Sequence, residues 1–163
     1  MENIQANYFD FKHRLLIRSG FYLGLTLFII LEILILNKTG PQHDLALFLQ
    51  TTLLLVLLLF FYACYNKSKY YVDKIELKEH SIILTIYLYN KKLENVEIPL
   101  TALRIELNKH YYEIYPKYKL SFRRGSPVDK AGSELIVRQY QIGFWNSKNL
   151  KNAYKAIREK QNK

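Results

Sequence analysis

Cysteine and the usual turn-forming residues are scarce in this chain. Its 163 residues include one cysteine, Cys64, with four prolines and six glycines. A single cysteine excludes an intramolecular disulfide and any metal site built from several thiolates, and with them the small disulfide-stapled secreted domains. The four histidines are scattered through unrelated contexts, and none has another histidine or the cysteine at helical spacing. We therefore expect neither a metal centre nor another cofactor.

Acidic residues are too few to balance the basic ones. The chain has 24 lysine and arginine residues against 14 aspartate and glutamate residues, a formal net charge of +10. Residues 1–66 hold equal numbers of both signs, so the whole excess lies in residues 67–163. This bias favours anionic partners, whether lipid headgroups, nucleic acid or acidic proteins, and does not choose among them.

Two long hydrophobic runs occupy the part of the chain with no net charge. Residues 19–36 (SGFYLGLTLFIILEILIL) contain one charge, Glu32, and residues 45–65 (LALFLQTTLLLVLLLFFYACY) contain none. A helix needs roughly 20 apolar residues to cross a hydrocarbon core about 30 Å thick, and both runs are close to that length. Gly40 and Pro41 interrupt the short segment between them, which predicts an antiparallel transmembrane hairpin.

A cleaved signal peptide is the alternative for the first run. The run is longer than usual signal-peptide cores, no small-residue cleavage pattern follows Leu36, and a second span comes next. Basic residues flank both ends of the hairpin, whereas the connecting segment holds only Lys38. The positive-inside bias then places both termini in the cytoplasm.

Gly20 and Gly24 lie one turn apart in the first predicted helix. Such a pair lets another helix backbone approach closely. The pair packs either against the second helix of the same hairpin, near Ala63, or against a helix of another molecule. The first of these is the simpler expectation.

Glu32 is an acid inside an apolar run, where a charge is costly and usually has a partner or a function. Gln50 and Thr51 lie at about the same predicted depth in the second run. We expect either a hydrogen bond between these side chains and Glu32, or a contact between Glu32 and a polar residue of a partner membrane protein. A proton relay is the weakest alternative, because two helices alone offer no pathway.

After residue 66, short alternating runs of β-branched and aromatic residues predict strands. Seven strands are expected, over residues 70–78, 81–89, 93–98, 102–108, 111–115, 119–124 and 135–142. An amphipathic helix follows, capped by Asn146 or Ser147, with its apolar stripe formed by Leu150, Ala153, Tyr154 and Ile157. Trp145 is expected in the core. The predicted organisation is a cytoplasmic tail (1–14), a transmembrane hairpin (15–66) and a cytoplasmic β domain (67–163).

Residues 96–107 (VEIPLTALRIEL) resemble the isoleucine-proline-leucine motif that precedes a strand in bacterial pleckstrin-homology-like domains. The layout of residues 15–160 is similar as well, since paired transmembrane helices often precede the domain in those families. The resemblance implies a seven-stranded bent barrel capped by the C-terminal helix, a place in the bacterial cytoplasmic (inner) membrane, and a scaffold for binding or assembly. Eukaryotic relatives often bind phosphoinositides through the first strand loop. Here that loop, Lys78–His80, is tight and partly acidic, which argues against such binding.

A basic cluster borders the glycine-containing segment 125–133, and such segments on β scaffolds commonly carry recognition. It is either a surface for anionic lipid or a partner, or an ordinary solvated hairpin; it comprises Lys117, Lys119, Arg123, Arg124 and Lys130. Nearby tyrosines, Tyr111, Tyr112, Tyr115 and Tyr118, could stack on bases. Aromatic residues in strands more often pack in the core or on the sheet, so we do not expect nucleic-acid binding.

No serine or cysteine nucleophile has a base in evident register, so we do not expect an enzyme. The leading hypothesis is a membrane-anchored interaction module, an accessory or assembly subunit of a larger membrane protein complex. Its expected partners are the bilayer and another membrane protein or a second copy of the chain. The alternative is a regulatory module that binds anionic lipid at the cytoplasmic membrane surface.

Overall fold

The computed structural model describes residues 2–36, 43–110, 117–125 and 133–162. It divides into two compact units. One, the helical unit, comprises Lys12–Ser68. The other, the β unit, combines Met1–Phe11 with Lys69–Lys163. The predicted strand 111–115 and Lys130 lie outside the described residues.

The helical unit contains the two predicted apolar helices, α1 (Phe11–Leu36) and α2 (His43–Ser68). Within them, residues 11–35 and 46–68 have mean hydropathies of 1.7 and 2.3 and are long enough to cross a membrane. Only 17% and 11% of their most apolar stretches are buried, far less than in the core helix of a soluble protein. Their exposed leucine, isoleucine and phenylalanine side chains fit a membrane protein.

The β unit contains two antiparallel sheets in its described residues. The first sheet has the order β1 (Glu2–Gln5), β2 (Tyr70–Leu77), β3 (Ser81–Leu88), and then both β4 (Lys91–Lys92) and β5 (Val96–Pro99) paired with β3. The second has the order β6 (Leu103–His110), β7 (Lys117–Arg124) and β8 (Glu134–Tyr140). The mostly antiparallel β architecture is therefore confirmed at the level of its elements.

Two parts of the first sheet differ from the sequence prediction. Residues 2–5, treated above as part of a cytoplasmic tail, form β1 and pair with Lys74–Leu77 of β2. The strand predicted over residues 93–98 is observed only as the later β5, because residues 93–95 face just two residues of β3, 85–86, which interrupts the pairing between β4 and β5. A 3₁₀ turn (Leu100–Ala102) then leads into β6. The first sheet therefore contains chain from both sides of the apolar helices.

The core of the β unit lies between the two sheets and the C-terminal helix, α3 (Ser147–Gln161). Asn146 caps this helix by accepting a hydrogen bond from the Asn149 N–H at 2.9 Å. Leu150, Ala153 and Ile157 are fully buried, as the predicted apolar stripe requires. Trp145 is also fully buried, so its predicted place in the core is confirmed.

Candidate interaction surfaces

One face of α1 contacts α2 within the helical unit. The ring of Tyr22 stacks on that of Phe60 with centroids 5.2 Å apart. The Arg14 Nε donates to the Ser68 carbonyl at 3.0 Å, and the Cys64 thiol donates to the Arg18 carbonyl at 3.4 Å. These contacts occur at intervals of four residues along α1, so they define its inner face. Cys64 is accordingly a buried packing residue.

Gly20 and Gly24 lie on the opposite face of α1. At about 100° per residue, Gly20 is about 160° around the helix from both Arg18 and Tyr22. Apart from the adjoining backbone of α1 itself, a Cβ atom built on either glycine has no described atom within 4 Å. The expected close packing of the pair against α2 near Ala63 is therefore not observed. We call the surface around Gly20 and Gly24, which continues through exposed Leu27 and Leu31, the glycine face.

Glu32 is partly buried and lies about 80° around the helix from Gly24. The hydroxyl of Thr51 donates to the Leu47 carbonyl of its own helix at 2.7 Å. Gln50 is partly buried too, and no hydrogen bond joins Glu32 to either residue within the described ranges. The expected hydrogen bond within the hairpin is therefore not observed among the described residues, and the contact of Glu32 with a polar residue of a partner membrane protein stays a prediction.

The predicted basic cluster on β7 is divided between the two faces of the second sheet, because successive side chains of a strand point to opposite faces. Lys117, Lys119 and Arg123 lie at alternate positions of β7, so they share one face of the second sheet. Arg124 points to the other face, where its Nη2 donates to the Glu97 carbonyl at 3.2 Å. We call the face opposite the core the outer sheet face; it also carries Arg104, Glu106, Asn108, Ser121 and Arg138.

Arg104 and Arg123 form a directly opposed pair on this face. Glu106 accepts from both Nε and Nη2 of Arg104, at 2.9 and 2.8 Å. Arg123 donates through Nη1 to the Ser133 carbonyl at 3.2 Å. A pocket of about 420 Å³ is lined by Arg104, Glu106, Asn108, Arg123 and Ser133. Sequence reasoning missed Arg104 and Glu106, since only the register of β6 against β7 reveals that they adjoin Arg123.

Two carboxyl groups in the first sheet have shifted pKa values. A hydrogen bond from Ser81 and the ammonium of Lys78 lower the pKa of Glu97, which is exposed. Partial burial raises the pKa of Asp73 against the opposing effect of Lys92 and Lys74. Both groups belong to strand pairing, at β5 and at the bulge of β2, and neither lies on the outer sheet face.

Within the described ranges, no three histidine, cysteine, aspartate or glutamate side chains form a group that could hold a metal ion. Comparison with protein-family models, with curated proteins and with solved structures gives no match. Function has to be inferred from the two surfaces themselves.

Proposed function

We propose that this chain is a non-enzymatic, membrane-anchored interaction module, an accessory or assembly subunit of a larger membrane protein complex. The observation that carries the proposal is the glycine face. Gly20 and Gly24 are not used in the contact between α1 and α2, and the space beside them is open among the described residues. Two small residues one turn apart permit close packing of another helix, and Glu32 at the flank offers it a polar contact.

The β unit supports anchoring in the bacterial inner membrane with both termini in the cytoplasm. Strand β1 precedes the apolar helices and β2 follows them, yet the two strands pair along four residues. Segments that precede and follow a transmembrane hairpin can pair in one sheet only if both lie on the same side of the bilayer. Basic residues flanking the helices favour the cytoplasmic side.

The element order of the β unit also supports a pleckstrin-homology-like fold. Two antiparallel sheets of consecutive strands are followed by a helix that packs on the core, as the resemblance of residues 96–107 implies. In this proposal the hairpin emerges between the first and second strands, and the barrel serves as a binding scaffold.

The test uses the full chain, tagged and purified in mild detergent from its native membranes. Bulky Gly20→Ile and Gly24→Ile substitutions fill the open face without touching α2, so folding should be unchanged. We expect wild type to co-purify a membrane protein or a second copy, and the double variant to lose about tenfold or more of it. Mass spectrometry identifies the partner.

The matched control is Ala46→Ile, which adds similar bulk at an exposed position of α2. It should retain the partner. A wild-type chain that always migrates alone, or a double variant that co-purifies as much partner as wild type, would contradict the proposal.

A second candidate function is a regulatory module that binds anionic lipid through the β unit. The observation that favours it is the row of Lys117, Lys119 and Arg123 on one face of β7. Each basic residue near an anionic leaflet contributes about 1 kcal/mol of attraction. This function needs no partner on the glycine face, so the co-purification test distinguishes it from the first.

A further inference from the structure

The opposed guanidinium groups of Arg104 and Arg123 require an explanation. Like charges directly across a strand pair destabilise a sheet. Glu106 neutralises the charge of Arg104, because its carboxylate accepts two short hydrogen bonds from that guanidinium. No described carboxylate does the same for Arg123. The positive charge on this side of the pocket is therefore not neutralised by an acid within the described residues.

The Nε of Arg123 is more specific evidence for a ligand than the charge of the residue. It is buried, and it has no hydrogen-bond partner among the residues that the structure describes. The same guanidinium is fixed in place by its Nη1 bond to the Ser133 carbonyl. Buried unsatisfied donors are rare in native proteins, and a bound ion that supplies the acceptor is one physical explanation for such a donor. The missing acceptor at Arg123 would lie in or beside the pocket that this residue lines.

The geometry points to an oxyanion-binding subsite in this pocket, with Arg123 as the principal ligand and a phosphate group as its occupant. A guanidinium presents parallel N–H groups that match two oxygens of a phosphate. Lys119 lies across from Asn108, which lines the pocket, so a further positive charge adjoins the site. The proposal does not depend on a partner for the glycine face.

The pocket is also large and polar enough for more than an inorganic ion. Its volume of about 420 Å³ exceeds that of a phosphate group, and Asn108 and Glu106 add an amide and a carboxylate to its wall. Such a lining suits the hydroxyl groups of a phosphate ester with a small polyol part. Glycerol phosphate has this chemistry, both as a free molecule and as the headgroup of phosphatidylglycerol.

The test measures binding to the detergent-solubilised full chain with three probes: inorganic phosphate, glycerol 3-phosphate and phosphatidylglycerol. Calorimetry follows the soluble probes, and native mass spectrometry follows the lipid. Arg123→Gln should weaken binding about tenfold, the usual value of one charge-assisted hydrogen bond. Arg138→Gln removes the same charge from the same face outside the pocket lining, and should change affinity less than about twofold.

Glu106→Gln is the variant that loss of folding cannot mimic. It removes a repelling carboxylate and frees Arg104, so it should tighten phosphate binding by about threefold or more. Binding of the soluble probes indicates a free phosphate ligand, and binding of phosphatidylglycerol alone indicates a lipid headgroup. No binding of any probe, or equal effects of Arg123→Gln and Arg138→Gln, would overturn the proposal.

Discussion

Val72 shows how single side chains join the two sheets of the β unit. Its residue pair with Ile86 is the last before a bulge in β2, and β1 does not extend far enough to pair with it. The Val72 N–H donates instead to the Gln139 Oε1 at 2.7 Å, and the Trp145 Nε1 donates to the Val72 carbonyl at 2.6 Å. Two side chains therefore replace a neighbouring strand at the junction of the sheets.

Gln139→Leu should destabilise the β unit by about 1–3 kcal/mol, because it leaves the buried Val72 N–H without an acceptor. Trp145 is the only tryptophan of the chain and is fully buried, so its fluorescence reports unfolding of this unit. Denaturant titrations of the full chain in detergent would measure the change.

Gln5→Leu is the matched control. It replaces the same residue type by leucine, but at an exposed position of β1. It should remain within about 0.5 kcal/mol of wild type. Equal stability of the Gln139→Leu variant and wild type would show that this junction is not held by Gln139.

At this scale the sequence predicted Trp145 and could not predict Gln139. A lone tryptophan before an amphipathic helix is large and apolar, so its burial follows from local pattern. A glutamine in an alternating strand indicates a solvent-facing position. Gln139 is buried because it faces the core beside Leu120, and its amide oxygen is needed there because the Val72 N–H has no strand partner near the bulge of β2; the sequence near residue 139 indicates neither feature.

Among the elements, local signals were sufficient for α3 and insufficient for β1. The cap and apolar stripe of α3 lie within 15 residues, and the observed helix matches them. Strand β1 has four residues with one apolar side chain, Ile4, and pairs with a strand more than 60 residues later. No periodicity can be read from so short a segment. For the same reason the place of Arg104 beside Arg123 could not be predicted, because it depends on the register of β6 against β7.

The N-terminal segment should contribute measurably to the β unit. Ala6 is buried, and its N–H donates to the Asp73 carbonyl at 2.7 Å. The Tyr71 hydroxyl donates to the Asn7 carbonyl at 2.9 Å, and the Tyr8 hydroxyl donates to the Asn90 side chain at 3.0 Å. Ala6→Glu would place a charge in this packed position. We expect a loss of about 3 kcal/mol or more of unfolding free energy, measured by Trp145 fluorescence.

Gln5→Glu introduces the same carboxylate one residue away at an exposed position. Its effect should be within about 0.5 kcal/mol of wild type. If both variants unfold together with wild type, β1 is not part of the stable β unit.

For the whole molecule, the sequence predicted two unlike parts because their signals are long or repeated. Apolar runs of 18 and 21 residues and a charge excess confined to residues 67–163 do not depend on tertiary contacts. The return of residues 2–11 to the β unit could not be predicted, since it depends on strand pairing across the hairpin. Because β1 precedes the helices and β2 follows them, the first sheet can form only if both ends of the helical pair lie on the same side of a membrane.

The pairing of β1 with β2 makes a strict prediction about membrane topology. In a Cys64→Ala background, single cysteines replace Gln5 in β1, Glu94 between β4 and β5, or Thr39 between the helices. Gln5 and Glu94 are both exposed, so their accessibility reports the side of the membrane. A membrane-impermeant maleimide should label Thr39→Cys in intact spheroplasts. It should label Gln5→Cys and Glu94→Cys only after lysis, because one sheet cannot straddle a bilayer and the basic flanks favour the cytoplasm.

The labelling of the three positions distinguishes the predicted topology from its alternatives. Labelling of Gln5→Cys and Glu94→Cys on opposite sides would mean that β1 does not pair with β2 in the membrane, and that the chain crosses an odd number of times. Labelling of all three on one side would mean that α1 and α2 do not both span the bilayer. A crossing hairpin and an intact first sheet together require Gln5→Cys and Glu94→Cys on one side of the membrane and Thr39→Cys on the other, and the basic flanks predict that Thr39→Cys is the external position.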